Sequence, residues 1–135
     1  NRGEAPYELM PGTYGLSNAL LDTSWPKLDS GKEALVQWLK NPEEKDAFAI
    51  LQDPHIYPDG ELPETGVPLD WERALSARFI RKDNYGTRCS TVVTFGVNGM
   101  ASFSERTYLP EVSVVNQQFA VSVNSFVGQD ESRKG

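Results

Sequence analysis

Residues 88–108 constrain the fold of this chain more than any other stretch. The β-branched run Thr91-Val92-Val93-Thr94 leads into Gly96-Val97-Asn98-Gly99, and an alternating segment from Met100 to Tyr108 follows. Branched and aromatic side chains at a period of two suit a pleated strand, and Asn-Gly accepts the positive φ of a tight reversal. The pattern predicts an antiparallel hairpin with strands over 88–95 and 100–108. Residues 112–123 supply one more strand, with Phe119, Val121 and Val123 on one face and Ala120 and Ser122 on the other.

Helical spacing occupies the middle of the chain. Ser30 and Glu33 form an S-x-x-E capping pattern, and Ala34, Leu35, Trp38 and Leu39 share a face, so a helix is expected over 31–40. Asn41-Pro42-Glu43-Glu44 restarts the pattern, and Ala47, Phe48, Ile50 and Leu51 complete a second short helix that Asp53-Pro54 stops. Trp71, Ala74, Leu75 and Phe79 mark a third over 69–80. Between them, residues 53–70 hold four prolines, Pro54, Pro58, Pro63 and Pro68, in a loop long enough to be a lid or binding loop. Near the start, Pro6 and Pro11 keep residues 1–11 out of a helix. Thr13, Tyr14 and Leu16 favour a short strand over 13–17 that ends at Asn18, with Gly12 and Gly15 allowing close backbone approach. Proline disfavours the α conformation at Trp25, which precedes Pro26. Helices and antiparallel strands in one chain give an α+β class, without repeats or heptads.

Composition narrows the functions. The 135 residues match one core, and the formal charge of −6 leaves no obvious source of attraction to phosphate, so nucleic acid and anionic lipid surfaces are disfavoured. No run approaches the roughly 18 to 20 apolar residues of a membrane span, and the first residues have no signal core. A single cysteine excludes an internal disulfide, and no zinc-finger spacing occurs, so the cytoplasm is the default compartment and no metal site is expected. The absence of an initiator Met and a polar opening turn without a partner strand point to a fragment or a processed chain.

Motifs for nucleotide binding, zinc proteolysis and serine hydrolysis are missing. His55 is the one imidazole, a candidate base or haem ligand, although a solvated loop histidine is the simpler reading. Cys89 begins a β-branched run and reads as a small hydrophobe pointing into a sheet. Polar groups at strand ends form a more informative set: Asn18, Arg88 and the Glu105-Arg106 pair. Amide and guanidinium groups are fixed donors that can face an oxyanion or a carboxylate, and strand-end capping with surface ion pairing is the competing reading. Trp25, Trp38 and Trp71 read as packing residues.

The stretch from Pro11 to Lys27, PGTYGLSNALLDTSWPK, resembles the NRDE family, also called the transport and Golgi organisation protein 2 family. So do Tyr85-Gly86-Thr87-Arg88-Cys89-Ser90-Thr91-Val92-Val93 and Phe103-Ser104-Glu105-Arg106-Thr107-Tyr108. The likeness covers about residues 1–110 and corresponds to roughly the second half of a family member. Asn1-Arg2-Gly3-Glu4 is not the family's Asn-Arg-Asp-Glu signature. The resemblance implies a four-layer αββα Ntn-hydrolase-like fold with antiparallel sheets inside and helices outside, residues 1–127 forming the C-terminal part of a single domain and 128–135 a polar tail. It also implies an N-terminal half as partner. That half would carry a cysteine nucleophile, because Asn1 cannot serve as one.

Three functions stay open on this reading. The first is binding and trafficking of haem or a hydrophobic metabolite, with Tyr14, Asn18, His55, Arg88 and Arg106 as ligand-binding candidates and haem as cargo. Met10, Met100 and a tyrosine join His55 as candidate iron ligands. The second is a cysteine amidohydrolase in which Asn18 stabilises the oxyanion and Arg88 orients nucleophile or substrate. The third is a structural half-domain with no ligand of its own.

Overall fold

The computed structural model describes residues 6–42, 46–108 and 111–121. The chain divides into two compact units, residues 1–86 and 87–135. The tail at 128–135 and the expected strand positions Ser122 and Val123 lie outside the described residues.

In the first unit, residues 13–17 have no regular secondary structure and join no sheet, which corrects the strand expected there. Exposure still alternates from Thr13 to Leu20, so one side of the segment packs inward. The backbone of Gly15 is engaged elsewhere. Its N–H donates to Asp22 Oδ1 at 2.8 Å and its carbonyl accepts the Asp22 N–H at 2.8 Å. This reciprocal pair closes a loop over 15–22, with Asp22 at φ 55° and its carboxylate 2.7 Å from Lys32 Nζ. Gly15 also makes the close approach expected of it, since a Cβ there would lie 2.7 Å from Leu28 Cγ.

Helix α1, Pro26–Trp38, starts earlier than Gly31 because Trp25 is extended and Pro26, which lacks the N–H that the first turn leaves unpaired, opens it. Ser30 is therefore inside the helix and the Ser30/Glu33 cap does not form: its hydroxyl donates to the Lys27 carbonyl at 3.3 Å and shares a hydrogen bond with the Tyr57 hydroxyl at 2.6 Å. Helix α2, Phe48–Leu51, forms where expected, with Asp46 accepting the Phe48 N–H at 3.0 Å. The expected start of this helix at Asn41 falls in a turn, and residues 43–45 lie outside the described residues. Helix α3, Leu69–Ser76, is shorter than the expected 69–80 because the backbone turns extended at Ala77. That turn carries Arg78 back across the unit. Its Nε donates to the Ile50 carbonyl at 2.8 Å, Nη1 to the Lys27 carbonyl at 3.2 Å and to the Ser30 hydroxyl, and Nη2 to Asp53 Oδ2 at 2.5 Å. One guanidinium thus ties the segments of α1 and α2 to the chain leaving α3, around the buried Leu28, Phe48, Ala77 and Phe79. Two short strands, β1 (Arg81–Lys82) and β2 (Tyr85–Gly86), form an antiparallel pair.

The second unit is the expected hairpin with a third strand. β3 (Cys89–Phe95), β4 (Met100–Thr107) and β5 (Ser113–Ala120) form an antiparallel sheet in the order β3-β4-β5. The reversal uses a three-residue loop, Val97 to Gly99: Gly96 donates to the Met100 carbonyl at 2.7 Å, and Gly99 sits at φ 74°. Register places Val93, Phe95, Ala101, Phe103, Val115 and Phe119 on one face, with Ala101 between Phe95 and Phe119.

Candidate functional site

A cleft of about 460 Å³ opens in the first unit, within the roughly 300–1,000 Å³ usual for small-molecule sites. The loop that Asp22 closes contributes Asn18, and the start of α1 contributes Trp25 and Lys27. The proline-rich loop supplies Tyr57, Leu62 and Val67, and α3 supplies Glu72 and Leu75.

The proline-rich loop is held along α3 by successive polar contacts. The Tyr57 N–H donates to the Ser76 hydroxyl at 3.0 Å, and that hydroxyl donates to the Arg73 carbonyl at 2.7 Å. Arg73 grips Asp59 with two hydrogen bonds of 2.7 and 2.6 Å. Glu72, buried on α3, accepts both the Thr65 N–H at 2.7 Å and the Thr65 hydroxyl at 2.5 Å. These contacts seat the loop without a sheet, so its prolines, which lack donors, leave no ladder incomplete.

Electrostatics follow from the same contacts. The hydrogen bonds from Arg73 hold the Asp59 carboxyl below its ordinary pKa, and Asp59 in turn raises that of Arg73. Asp22 is lowered by the hydrogen bond from Lys32 and then by the Gly15 N–H. Lys27 differs: burial lowers its ammonium pKa. Its Nζ donates to the Leu75 carbonyl at 2.7 Å and lies 5.6 Å from the centroid of the Trp25 ring.

Of the residues singled out in the sequence, Asn18 lines the cleft and is exposed there. Tyr14 does not line it; its hydroxyl donates to the Met10 carbonyl at 2.8 Å. His55 is exposed on the loop, its ring edge-on to Tyr57 at 4.7 Å, and is not part of the cleft lining. Arg88 and Arg106 belong to the second unit, Arg88 just ahead of β3 and Arg106 opposite Ser90 on β4. Met10 and Met100 are exposed and line no part of the cleft. Cys89, a half-buried free thiol, opens β3. Among the described residues no group of His, Cys, Asp or Glu is arranged to hold a metal ion. No helix among them is long and apolar enough to cross a membrane.

Sequence reasoning missed Lys27, Tyr57 and Glu72, and it read Trp25 as packing. A signal existed for Trp25 and Lys27, which end the same family-like stretch that holds Asn18. Tyr57 lies in the proline-rich loop read as a candidate binding loop, and nothing local marks Glu72.

The family model described as Transport and Golgi organisation 2 matches residues 1–110. The chain belongs to the transport and Golgi organisation 2 family. It is 36% identical over 124 residues to the Bos taurus "Transport and Golgi organization protein 2 homolog", and 36% identical over 120 residues to the Mus musculus "Transport and Golgi organization 2 homolog". The Homo sapiens protein of the same name as the bovine one is 33% identical over 120 residues. Each match covers 81% of this chain and 44% of the relative, so the chain spans less than half the length of the family members it matches. Within this transport and Golgi organisation 2 chain, the family-like stretch 11–27 supplies the Asn18 and Lys27 walls of the cleft.

Proposed function

We propose that this chain binds a hydrophobic metabolite in the cleft between α1, α3 and the proline-rich loop, and that it serves intracellular, cytoplasmic trafficking of that cargo. The observation that carries the reading is the cleft itself, walled by Trp25, Leu62, Val67 and Leu75 with a few polar groups among them. Haem belongs to the cargo considered, held by apolar walls rather than by an iron bond. Of the candidate iron ligands only a tyrosine, Tyr57, reaches the lining, and its hydroxyl already pairs with Ser30. Titration of the 135-residue chain with the neutral dye Nile red, and separately with haemin, tests the reading. Saturable blue-shifted emission that a Val67→Trp wall substitution weakens is the expected result. Unsaturable uptake, or uptake indifferent to Val67→Trp, refutes it and favours a half-domain with no ligand of its own.

The finer fold proposed with this function is the four-layer αββα arrangement, with residues 1–127 as part of one domain and an N-terminal half as its partner. Val93, Phe95, Val115 and Phe119 support it, since they expose 45 to 72% of their surface on one face of the β3-β4-β5 sheet, a face suited to packing on a second sheet. A second function has one observation in its favour, the exposed Asn18 amide at the cleft. In that reading a cysteine of the N-terminal half attacks an amide and Asn18 stabilises the oxyanion. Asn18→Ala in the joined halves should then lower amide turnover by about 10²–10³, with unchanged turnover counting against it.

A further inference from the structure

Among the described residues, four cations of the first unit each meet a carboxylate, and the one cation in the cleft lining does not. Lys32 meets Asp22, Arg73 meets Asp59, Arg78 meets Asp53 and Lys82 meets Asp70, all at 3.1 Å or less. Lys27 has no carboxylate within ion-pair distance among the described residues. Its Nζ uses one N–H on the Leu75 carbonyl and faces the Trp25 ring, and both of those residues line the cleft. An ammonium carries three donors, so two remain. A cation partly removed from water without a counter-charge is costly, and an anion delivered to it offsets that cost. Burial lowers the Lys27 pKa, in keeping with that cost.

The remaining charges limit what the anion can be. Glu72 and Glu61 line the same cleft. Glu72 Oε1 accepts from Thr65, and neither Glu72 nor Glu61 forms an ion pair with Lys27. Two carboxylates elsewhere in the lining of the same cleft oppose a second negative charge on the ligand.

Accepting the cleft as a site for hydrophobic metabolites, we infer that its ligand is a monoanionic amphiphile: an apolar chain against Trp25, Leu62 and Leu75, and one carboxylate docked on Lys27. A neutral apolar molecule leaves the ammonium uncompensated, and a phosphate adds charge that Glu61 and Glu72 repel.

Calorimetric titration of the 135-residue chain with dodecanoate, dodecan-1-ol and dodecyl phosphate, each below its micelle concentration, tests this. Dodecanoate should bind about tenfold tighter than dodecanol, as one charge-assisted contact provides, and tighter than dodecyl phosphate. Lys27→Met, which keeps the apolar stem, should bring dodecanoate down to the level of dodecanol and leave dodecanol unchanged, while Lys27→Arg keeps the preference. Equal affinity for dodecanoate and dodecanol in the unaltered chain overturns the head-group assignment alone, as does tightest binding of dodecyl phosphate or a preference that survives Lys27→Met. Failure of all three probes together with Nile red overturns the cleft reading itself. A Lys27→Met chain that loses its fold loses dodecanol as well, and the ranking of the three probes on the unaltered chain then decides.

Discussion

The two units join their segments in different ways. In the second, strands of seven and eight residues pair along their length, and neighbouring main chains answer one another. The first has helices and only two-residue strands, and it joins these segments through side chains that bond to main-chain groups of other segments, as Arg78 does to Ile50 and Lys27, and Glu72 to Thr65. A ladder repeats one local rule and tolerates loss of any single side chain. A framework of individual long-range contacts concentrates its stability in a few residues, and the same framework shapes the cleft.

That contrast can be broken by experiment. Trp25, Trp38 and Trp71 all lie in the first unit, so tryptophan emission reports that unit, and amide exchange in β3 and β4 reports the other. The largest effect is expected from Arg78→Leu, which strands Asp53 and several carbonyls without their donor. About 3–5 kcal/mol should be lost from the urea transition seen by tryptophan emission, with exchange protection in β3 and β4 retained. Equal loss of both would show that the units share one framework.

Gly15→Ala comes next, because the added methyl meets Leu28 Cγ at 2.7 Å beside the core. A loss of about 1–3 kcal/mol is expected in the same emission-monitored transition, and an unchanged midpoint would mean that the 15–22 loop gives way freely. In the second unit Gly99→Ala places a side chain at φ 74°, which should cost about 1–2 kcal/mol, seen as faster exchange at Phe95 and Ala101. A larger cost than that of Arg78→Leu would invert the comparison.

The smallest effect is in acid. Asp22 and Asp59 both have pKa values lowered below 3.8 by their cationic partners. Their stabilisation is therefore fully present above pH 3.8 and is lost as pH falls through the lowered values. Asp22→Asn and Asp59→Asn should each lower stability slightly at neutral pH and flatten the acid limb of the emission signal, the variants and the unaltered chain converging below the lowered pKa values. A limb as steep as that of the unaltered chain would remove these carboxylates from the account.

The same division explains what could be read in advance. The β3-β4 hairpin was legible because its information is local: alternation, β-branching and an Asn-Gly that accepts the turn conformation. Helix α1 was legible in its existence but not its start, since Ser30 and Glu33 imitate a cap while Pro26 supplies the true first turn. The 13–17 segment has the composition of a strand, yet strand pairing depends on a neighbour, and Gly15 found Asp22 instead. Asn18 was reached through the family-like stretch, and its place in the cleft depends on the loop that Asp22 closes. Tyr57 carried no mark beyond its proline-rich loop, since Ser30 and Ser76, which hold it, are distant in sequence, and Glu72 gains its role only when that loop folds back onto α3.

By itself, then, the sequence determined the α+β class, the hairpin and the approximate helices, and its long motifs pointed to the family that the comparison with relatives establishes. Only the tertiary structure decided that Lys27, Glu72 and Asn18 share one cleft, and that Lys27, the cation in its lining, has no carboxylate within ion-pair distance among the described residues. Periodicity and capping act over a few residues, whereas a cleft and a missing counter-charge exist only after distant segments are packed together.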